Sequence, residues 1–345
     1  MTQAVVVDDS HFMRTVISDI LENGGIDVVA QASDGAAGVE AVETHDPDVV
    51  TMDVEMPRMD GIEAVEEIMA TNPTPVLMLS AHTEDGAEAT FEALEKGAVD
   101  FLAKPGGEVS TEISAHGDAL VAKVESATRA DPSSVEEVDT TSGPLEADHR
   151  YARNPTLVVG ASTGGPRVVE RVLSSLPLEA DLRVLVVQHM PDGFTGRFAD
   201  RLDRRSEYDV REATDGTRIS GGEALVAKGD YHMEVAGYGN GRIRVRLQQD
   251  EQLHGVRPAI DVTMETAAAK VDGPLTGVVL TGMGSDGAAG IEAIKAAGGA
   301  TLAQNEASCS VFGIPARAIE TGCVDEVRSA DEMGQAILDT ISANG

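Results

Sequence analysis

Short apolar runs alternate with amphipathic stretches in both halves of the chain, which predicts two α/β domains built on parallel sheets. In the first half we predict strands at 4–7, 28–32, 49–53, 75–80 and 100–104, and helices at 11–23, 36–45, 61–71, 85–96 and 110–127. In the second half we predict buried strands at 157–162, 183–188, 277–282 and 300–304. The run RIRVRL at 242–247 alternates polar and apolar residues, as is typical of a strand with one face in water.

Between the two halves lies a stretch with no sustained apolar period. Residues 126–153 are rich in Ser, Thr, Pro, Asp and Glu, a composition that favours an acidic, flexible linker. We therefore divide the 345 residues into a domain at 1–125, a linker at 126–153 and a second domain at 154–345.

The chain is strongly negative, and this charge makes some classes of binding partner unfavourable. There are 59 acidic and 26 basic residues, a net charge of −33, and residues 1–125 alone carry −21. Such a polyanion repels phosphate backbones and anionic headgroups, which argues against nucleic-acid binding and membrane insertion. Two cysteines, no apolar run of about 18 residues and no signal-peptide pattern at the start favour a cytoplasmic location.

Four predicted strands of the first domain end in residues suited to phosphoryl chemistry. Asp8 and Asp9 follow the first strand, Asp53 ends the third, Ser80 ends the fourth and Lys104 ends the fifth. Strand ends of a parallel sheet meet at one edge, where clustered carboxylates favour a hard cation such as Mg²⁺. A lysine and a hydroxyl beside them suit a phosphoryl group carried by a nucleophilic aspartate. Taken singly, the first two aspartates could be helix N-caps and the lysine a solvated strand end.

The set VVVDDS, DVEMPRMDG (53–61), LSAHT (79–83) and AKP (103–105) resembles the receiver domain of bacterial response regulators. The resemblance implies a flavodoxin-like fold, phosphorylation of Asp53 and phosphoryl contacts from Ser80 and Lys104. It also implies Mg²⁺ as the cofactor of that phosphorylation, held by Asp8, Asp9, Asp53 and the backbone carbonyl of Glu55, and a cis peptide at Lys104–Pro105.

In the second domain, the sequence GASTGGP (160–166) lies between an apolar strand and a helical run. It contains the G-x-S-x-G pattern of a nucleophile elbow around Ser162, with Pro166 suited to the first helical position. Alone the pattern is weak, since a structural turn or a phosphate-binding loop would use the same residues.

Two further strand ends supply partners for a serine nucleophile. His189 follows the apolar run 183–188, and Asp286 lies in the glycine-rich LTGMGSDGAAG (280–290). Each has a plain alternative, a structural histidine and an N-cap for the following helix, but a Ser-His-Asp triad explains all three residues together. The order Ser, His, Asp differs from the Ser, Asp, His order of α/β-hydrolases, which excludes that fold.

These motifs, with GDYHM (229–233) and RPAID (257–261), resemble the catalytic domain of the chemotaxis-specific CheB methylesterases from about 154 to 342. The resemblance implies a doubly wound, mostly parallel α/β domain that removes methyl groups from glutamates of methyl-accepting chemotaxis receptors and acts as a glutaminase on glutamines. By the same resemblance, the backbone amides of Thr163 and Met283 stabilise the oxyanion, and the ester chemistry needs no cofactor. The phosphodonor would be the chemotaxis histidine kinase CheA, and the unphosphorylated receiver would restrain the enzyme.

Three details remain open at this stage. Thr263 stands where the family pattern has a bulkier apolar residue, which we interpret as a packing change. Arg257 could contact an acidic receptor helix or pair within its own domain. The acidity, with 6 Lys against 20 Arg, is typical of a protein adapted to a salt-rich cytoplasm.

Two other function classes compete with the esterase. A response regulator whose second domain binds a partner without catalysis would need no triad, although a DNA-binding output is disfavoured by the net charge of the second domain. A Rossmann-like module could bind a nucleotide at GASTGGP without using His189 or Asp286.

Overall fold

The computed structural model describes residues 1–80, 84–104, 111–130, 145 and 151–342, apart from the side chains of 84–85 and 111–116. The chain forms two compact units, residues 1–138 and 139–345, whose boundary falls inside the predicted linker. Most of that linker, together with Ala81–Thr83 of the LSAHT motif and Pro105 of the predicted cis peptide, lies outside the described residues, so those expectations stay predictions.

The first unit is a five-stranded parallel sheet flanked by helices. Its elements are β1 (Gln3–Val7), α1 (His11–Asn23), β2 (Asp27–Ala32), α2 (Gly35–His45), β3 (Val49–Asp53), α3 (Gly61–Thr71), β4 (Val76–Ser80), α4 (Glu84–Glu95), β5 (Asp100–Ala103) and α5 (Thr111–Ala127). The strand order β2-β1-β3-β4-β5 is that of flavodoxin-like folds, which confirms the predicted fold class. The central strands β3 and β4 are buried along their whole length, as the continuous apolar runs predict.

Helix starts in this unit follow capping chemistry in the sequence. The side chain of Ser10 accepts a hydrogen bond from the Met13 amide and begins α1, so Asp8 and Asp9 are not its N-caps. Asp60 and Glu63 form a capping box at the start of α3.

The second unit has a seven-stranded parallel sheet and a small antiparallel sheet. Its strands are β6 (Thr156–Ala161), β7 (Arg183–Gln188), β8 (Asp209–Glu212), β9 (Arg218–Ile219), β10 (Glu223–Val226), β11 (His232–Gly239), β12 (Arg242–Gln248), β13 (Leu275–Val279), β14 (Ala300–Gln304) and β15 (Glu326–Arg328). Its helices are α6 (Gly165–Ser175), α7 (Phe194–Arg205), α8 (Ile260–Lys270), α9 (Ala288–Ala296), α10 (Ile314–Glu320) and α11 (Met333–Ile341). The large sheet has the order β15-β14-β13-β6-β7-β10-β8, and the small sheet has the order β11-β12-β9.

Strand order fixes where a site can form in this unit. From the central β6 the chain proceeds to β7 on one side, and it later returns on the other side through β13 and β14. The carboxyl ends of β6 and β13 therefore flank the topological switch point, where open α/β sheets bind their ligands.

The strand prediction is wrong at one boundary that matters for the site. We predicted a strand to residue 282, but β13 ends at Val279. Beyond it, the Thr281 amide donates to the Gln304 side chain, and Gly282 pairs with Phe312. The chain thus leaves the sheet early and forms the loop that carries Met283 and Asp286. Within the described residues, no helix is both long enough and apolar enough to cross a membrane.

Candidate active site

Ser162 lies directly after β6, and strand register brings it opposite His189. Gly160 pairs with Val187 and Ala161 with Gln188, so the next pair in register is Ser162 and His189. On the other side of the serine, its amide donates to the Thr281 carbonyl at 3.0 Å. The serine therefore lies at the carboxyl end of β6, beside the switch point between β6 and β13.

The turn after Ser162 needs its glycines. Gly164, the N-cap of α6, has φ +73°, a conformation that favours glycine. A Cβ on Gly282 would lie 2.6 Å from the Ser162 Cβ, so only glycine leaves room for the serine. The Gln188 side-chain amide donates to the Ser162 carbonyl at 2.8 Å and fixes the turn from the β7 side. Pro166 is the second residue of α6, one position later than predicted.

His189 and Asp286 form a buried pair. The Nε2 of His189 lies 2.8 Å from the Asp286 Oδ2, and their side chains are 11% and 2% exposed. Because Nε2 faces the carboxylate, Nδ1 is the nitrogen left to accept a proton from the serine. Burial by itself would raise the pKa of Asp286, but the hydrogen bond and charge of His189, with two backbone amides, hold it below its ordinary value. No hydrogen bond of the described residues joins the Ser162 hydroxyl to His189, a contact that apo enzymes often make only with substrate.

Asp286 is not the N-cap of α9, the helix that follows it, so that alternative for Asp286 is wrong. Its carboxylate accepts from the amides of Ile260 and Asp261 at 2.7 and 2.9 Å, the first turn of α8. In return, the Asp261 carboxylate accepts from the amides of Gly287 and Gly290 at 2.8 and 2.7 Å, at the start of α9. The start of α8 is therefore capped by Asp286 from the loop before α9, and the start of α9 by Asp261 from α8, and this exchange fixes the position of Asp286.

A second histidine adjoins this pair and was missed by the sequence analysis. His254 Nε2 lies 2.8 Å from the Asp261 Oδ2 and 4.0 Å from the Asp286 Oδ1. Burial raises the pKa of Asp261 above its ordinary value, the Gly290 amide opposes this, and the charge of Asp286 adds to it. The only sequence signal for this contact was Asp261, which lies in the first turn of α8 and inside RPAID. His254 lies in an irregular loop, where no pattern predicts its position.

The two amides predicted for the oxyanion flank the serine. Thr163 follows Ser162 and is 3% exposed, whereas Met283 is 38% exposed. Neither backbone N–H takes part in a hydrogen bond within the described part of the chain, so both can donate to a substrate oxygen. Their role stays a prediction.

Two of the open details find a physical explanation. Arg257 donates to Asp230 and to the carbonyls of Gln249 and Asp250, which is the internal pairing alternative. Thr263 is more than a packing change, because its buried hydroxyl donates to the Met233 carbonyl at 2.6 Å and ties α8 to β11.

The first unit brings together most of the residues predicted for phosphorylation. Lys104 Nζ lies 2.6 Å from the Asp8 carboxylate and 2.7 Å from the Asp53 carboxylate. Carboxylate oxygens of Asp8, Asp9 and Asp53 lie within 4.8 Å of one another. Burial raises the pKa of Asp53, with Lys104 opposing this effect.

The other two predicted residues occupy neighbouring positions. Ser80 ends β4, one residue beyond the partner of Asp53 in the strand register, and its buried hydroxyl donates to the Gly86 carbonyl at 3.0 Å. Glu55 follows two residues after Asp53 and is exposed. The carboxylates of Asp8, Asp9 and Asp53, within 4.8 Å of one another, fit a hard divalent cation.

Family models match both parts of the chain. A CheB methylesterase model matches residues 157–337, and a response regulator receiver domain model matches residues 4–112.

Two relatives align with nearly the whole chain, and one solved structure aligns with about half of it. The protein-glutamate methylesterase/protein-glutamine glutaminase of Halobacterium salinarum is 64% identical over 99% of each chain. The protein of the same name from Symbiobacterium thermophilum is 44% identical over 97% of this chain and 96% of its own. Among solved structures, the Thermotoga maritima CheB methylesterase catalytic domain is 37% identical, with a TM-score of 0.52, over 54% of this chain and 98% of that domain.

Proposed function

Because this chain belongs to the CheB methylesterase family and carries a receiver domain, we propose that it removes methyl groups from glutamates of methyl-accepting chemotaxis receptors by Ser-His-Asp covalent catalysis. The observation that supports this most is the His189–Asp286 pair, which lies beside Ser162 at adjacent strand ends. A partner-binding domain or a nucleotide module would not need a buried, ionised aspartate behind a histidine at this place.

In the first half of the reaction, Ser162 Oγ attacks the side-chain carbonyl carbon of the methyl ester. Its proton passes to His189 Nδ1, while Asp286 holds the Nε2 proton and stabilises the imidazolium. The amides of Thr163 and Met283 donate to the oxyanion, each contributing about 3 kcal/mol. When the carbon–oxygen bond breaks, His189 returns the proton to the leaving methanol and Ser162 carries the glutamyl acyl group.

In the second half, water attacks the acyl-enzyme and gives up a proton to His189, which passes it to the departing serine oxygen. The product is the free glutamate carboxylate. A glutamine amide enters the same sequence with ammonia as the leaving group, so the glutaminase activity uses the same residues.

We propose that phosphorylation of Asp53 by a chemotaxis histidine kinase controls this activity. Asp8, Asp9, Asp53 and the carbonyl of Glu55 would hold Mg²⁺, which offsets negative charge during phosphoryl transfer when bound. Lys104 already contacts two of these carboxylates and would bind the phosphoryl oxygens, with Ser80 beside it.

The direct test is methanol release from methylated receptor by Ser162→Ala. We expect a loss on the order of 10⁶-fold in kcat with an unchanged unfolding curve, since one hydroxyl is removed from a half-buried turn. Ser174→Ala on α6 is the matched control, because that hydroxyl donates to a carbonyl of its own helix. Methanol release near the wild-type rate by Ser162→Ala would refute the mechanism.

A further inference from the structure

Strand β12 presents arginines on its outward face. Ile243 and Val245 are fully buried, while Arg242, Arg244 and Arg246 alternate with them and are exposed. On the neighbouring strand β9, Arg218 pairs directly with Arg244 in the antiparallel register. Like charges opposite one another in a sheet destabilise it, so this pairing works against folding.

Three of these four arginines have no ion-pair partner among the described residues. Arg246 pairs with Glu234 at 2.6 Å. In the part of the chain that the structure describes, no carboxylate makes an ion pair with Arg218, Arg242 or Arg244. With 59 acidic residues against 26 basic ones, three adjacent unpaired arginines are an unusual feature of this chain.

The surface directly across the strand register from these arginines is open and formed by glycines. Across the register from Arg244 and Arg242 lie Gly237 and Gly239, and a Cβ on either glycine would meet nothing within 4 Å. Gly237 lies at a bulge, and glycines inside strands often mark a close approach of another backbone. We call this feature the arginine pocket, an open cavity of about 650 Å³ lined by Arg218, Gly237, Tyr238, Gly239, Asn240, Arg242, Ile243 and Arg244.

A buried cation lies behind the arginine pocket. Arg183 is fully buried, donates to the Gly241 carbonyl at 2.8 Å and stacks 5.4 Å from the Tyr238 ring. Its Nε and Nη2 have no hydrogen-bond partner within the described residues. Asp181 interacts with this charge, but no carboxylate of the described residues forms an ion pair with Arg183, so part of the charge adds to the positive potential of the pocket.

The arginine pocket lies far from the triad. Arg183, which contacts the hairpin tip, is the first residue of β7, and His189 follows the last. Six residues of extended strand separate the two ends by about 20 Å. An anion in this pocket therefore cannot reach Ser162, and the pocket is a site separate from the catalytic one.

We propose that the arginine pocket binds a carboxylate-rich polypeptide segment of the protein substrate, away from the ester that is cleaved. This rests on the proposed function, in which the substrate is a protein whose reacting residues are glutamates. Arginine forks match carboxylates in two parallel hydrogen bonds, and the glycine surface leaves room for a peptide backbone. A nucleic acid fits less well, because Tyr238 is the one aromatic residue that lines the pocket, too few for successive bases to stack on.

The test uses a fluorescent oligoglutamate peptide and the full-length chain carrying Ser162→Ala, so that binding is independent of turnover. We expect the additional double change Arg242→Gln and Arg244→Gln to weaken peptide binding at least tenfold in anisotropy titrations. Arg246→Gln is the matched control on the same strand and face, and it should change affinity less than twofold. Single-stranded DNA and inorganic phosphate serve as alternative anions.

With an active Ser162, the double variant should raise the KM for methylated receptor while kcat stays unchanged. Equal peptide affinity in the double variant and the parent, or tighter binding of DNA or phosphate than of oligoglutamate, would overturn the proposal. If the active parent releases no methanol, the proposed function fails whatever the peptide does. If methanol is released and the double change alters neither affinity nor KM, only the arginine pocket proposal fails.

Discussion

At the scale of single residues, the Asp286 carboxylate must accept hydrogen bonds from backbone amides and from a histidine at the same time. It accepts from the amides of Ile260 and Asp261 and faces the His189 Nε2. Only an ionised carboxylate has enough lone pairs for three donors, and an asparagine would turn its own N–H₂ toward one of them. We therefore expect Asp286→Asn to lower kcat by roughly 10⁴-fold with little change in KM. Steady-state methanol release from methylated receptor measures this, and a loss below tenfold would contradict the role given to Asp286.

The same carboxylate gives stability a definite pH dependence. The pKa of Asp286 is held below its ordinary value in the folded state, so its ionisation stabilises the fold above that ordinary value. This contribution is lost as the pH falls through the lower, folded-state pKa. The difference in free energy of unfolding between wild type and Asp286→Asn should therefore shrink below about pH 4. Urea unfolding at a series of pH values checks this, and a constant difference would refute it.

Sequence predicted Ser162, His189 and Asp286 because each follows a buried strand, and parallel strands end at one edge. It did not predict His254 or Asp261. Their importance arises from contacts between α8, α9 and an irregular loop, which no local pattern encodes. The sequence singled out Asp286, yet its N-cap alternative could be decided only once the facing helix was in place.

At the scale of elements, the exchanged caps lock α8 to α9. Removing the Asp261 carboxylate leaves the amides of Gly287 and Gly290 buried without an acceptor. We expect Asp261→Ala to lower the free energy of unfolding by about 2 kcal/mol or more. Asp261→Asn keeps one acceptor oxygen and should cost less than the alanine change. Urea unfolding of the three proteins ranks them, and an alanine variant as stable as wild type would show that the caps are dispensable.

The elements of the first unit follow the sequence pattern closely, because each strand is a continuous apolar run between polar turns. Pattern alone missed five strands of the second unit, β8, β9, β10, β11 and β15, and β8 and β11 show why. The first, DVRE, is short and mostly polar, and the second, HMEVAGYG, is interrupted by glycines. β8 becomes a strand by pairing with β10, and β11 by pairing with β12 in a hairpin, so both depend on a partner strand rather than on their own preference.

At the scale of the whole molecule, charge should make stability depend on salt. Residues 1–125 carry a net charge of −21, and self-repulsion of this size opposes the compact state. Salt screens the repulsion between exposed charges, so the thermal midpoint of the full-length chain should rise as salt increases up to molar concentration. Circular dichroism melts across a potassium chloride series measure this. A flat response would mean that the acidic surface has another purpose.

We expect the receiver to restrain the esterase until Asp53 is phosphorylated. Phosphorylation of Asp53 adds up to two negative charges beside Asp8 and Lys104, which must change the hydrogen bonds at that edge of the sheet. A phosphoryl switch biases an equilibrium that already exists, so removing the receiver should mimic activation. We expect residues 154–345 alone to hydrolyse methylated receptor faster than the unphosphorylated full-length chain. Asp53→Asn should keep the basal rate and lose stimulation by a small-molecule phosphodonor. Initial rates of the three proteins with and without phosphodonor decide this, since a fragment slower than the full-length chain would mean that the receiver assists the enzyme instead of restraining it.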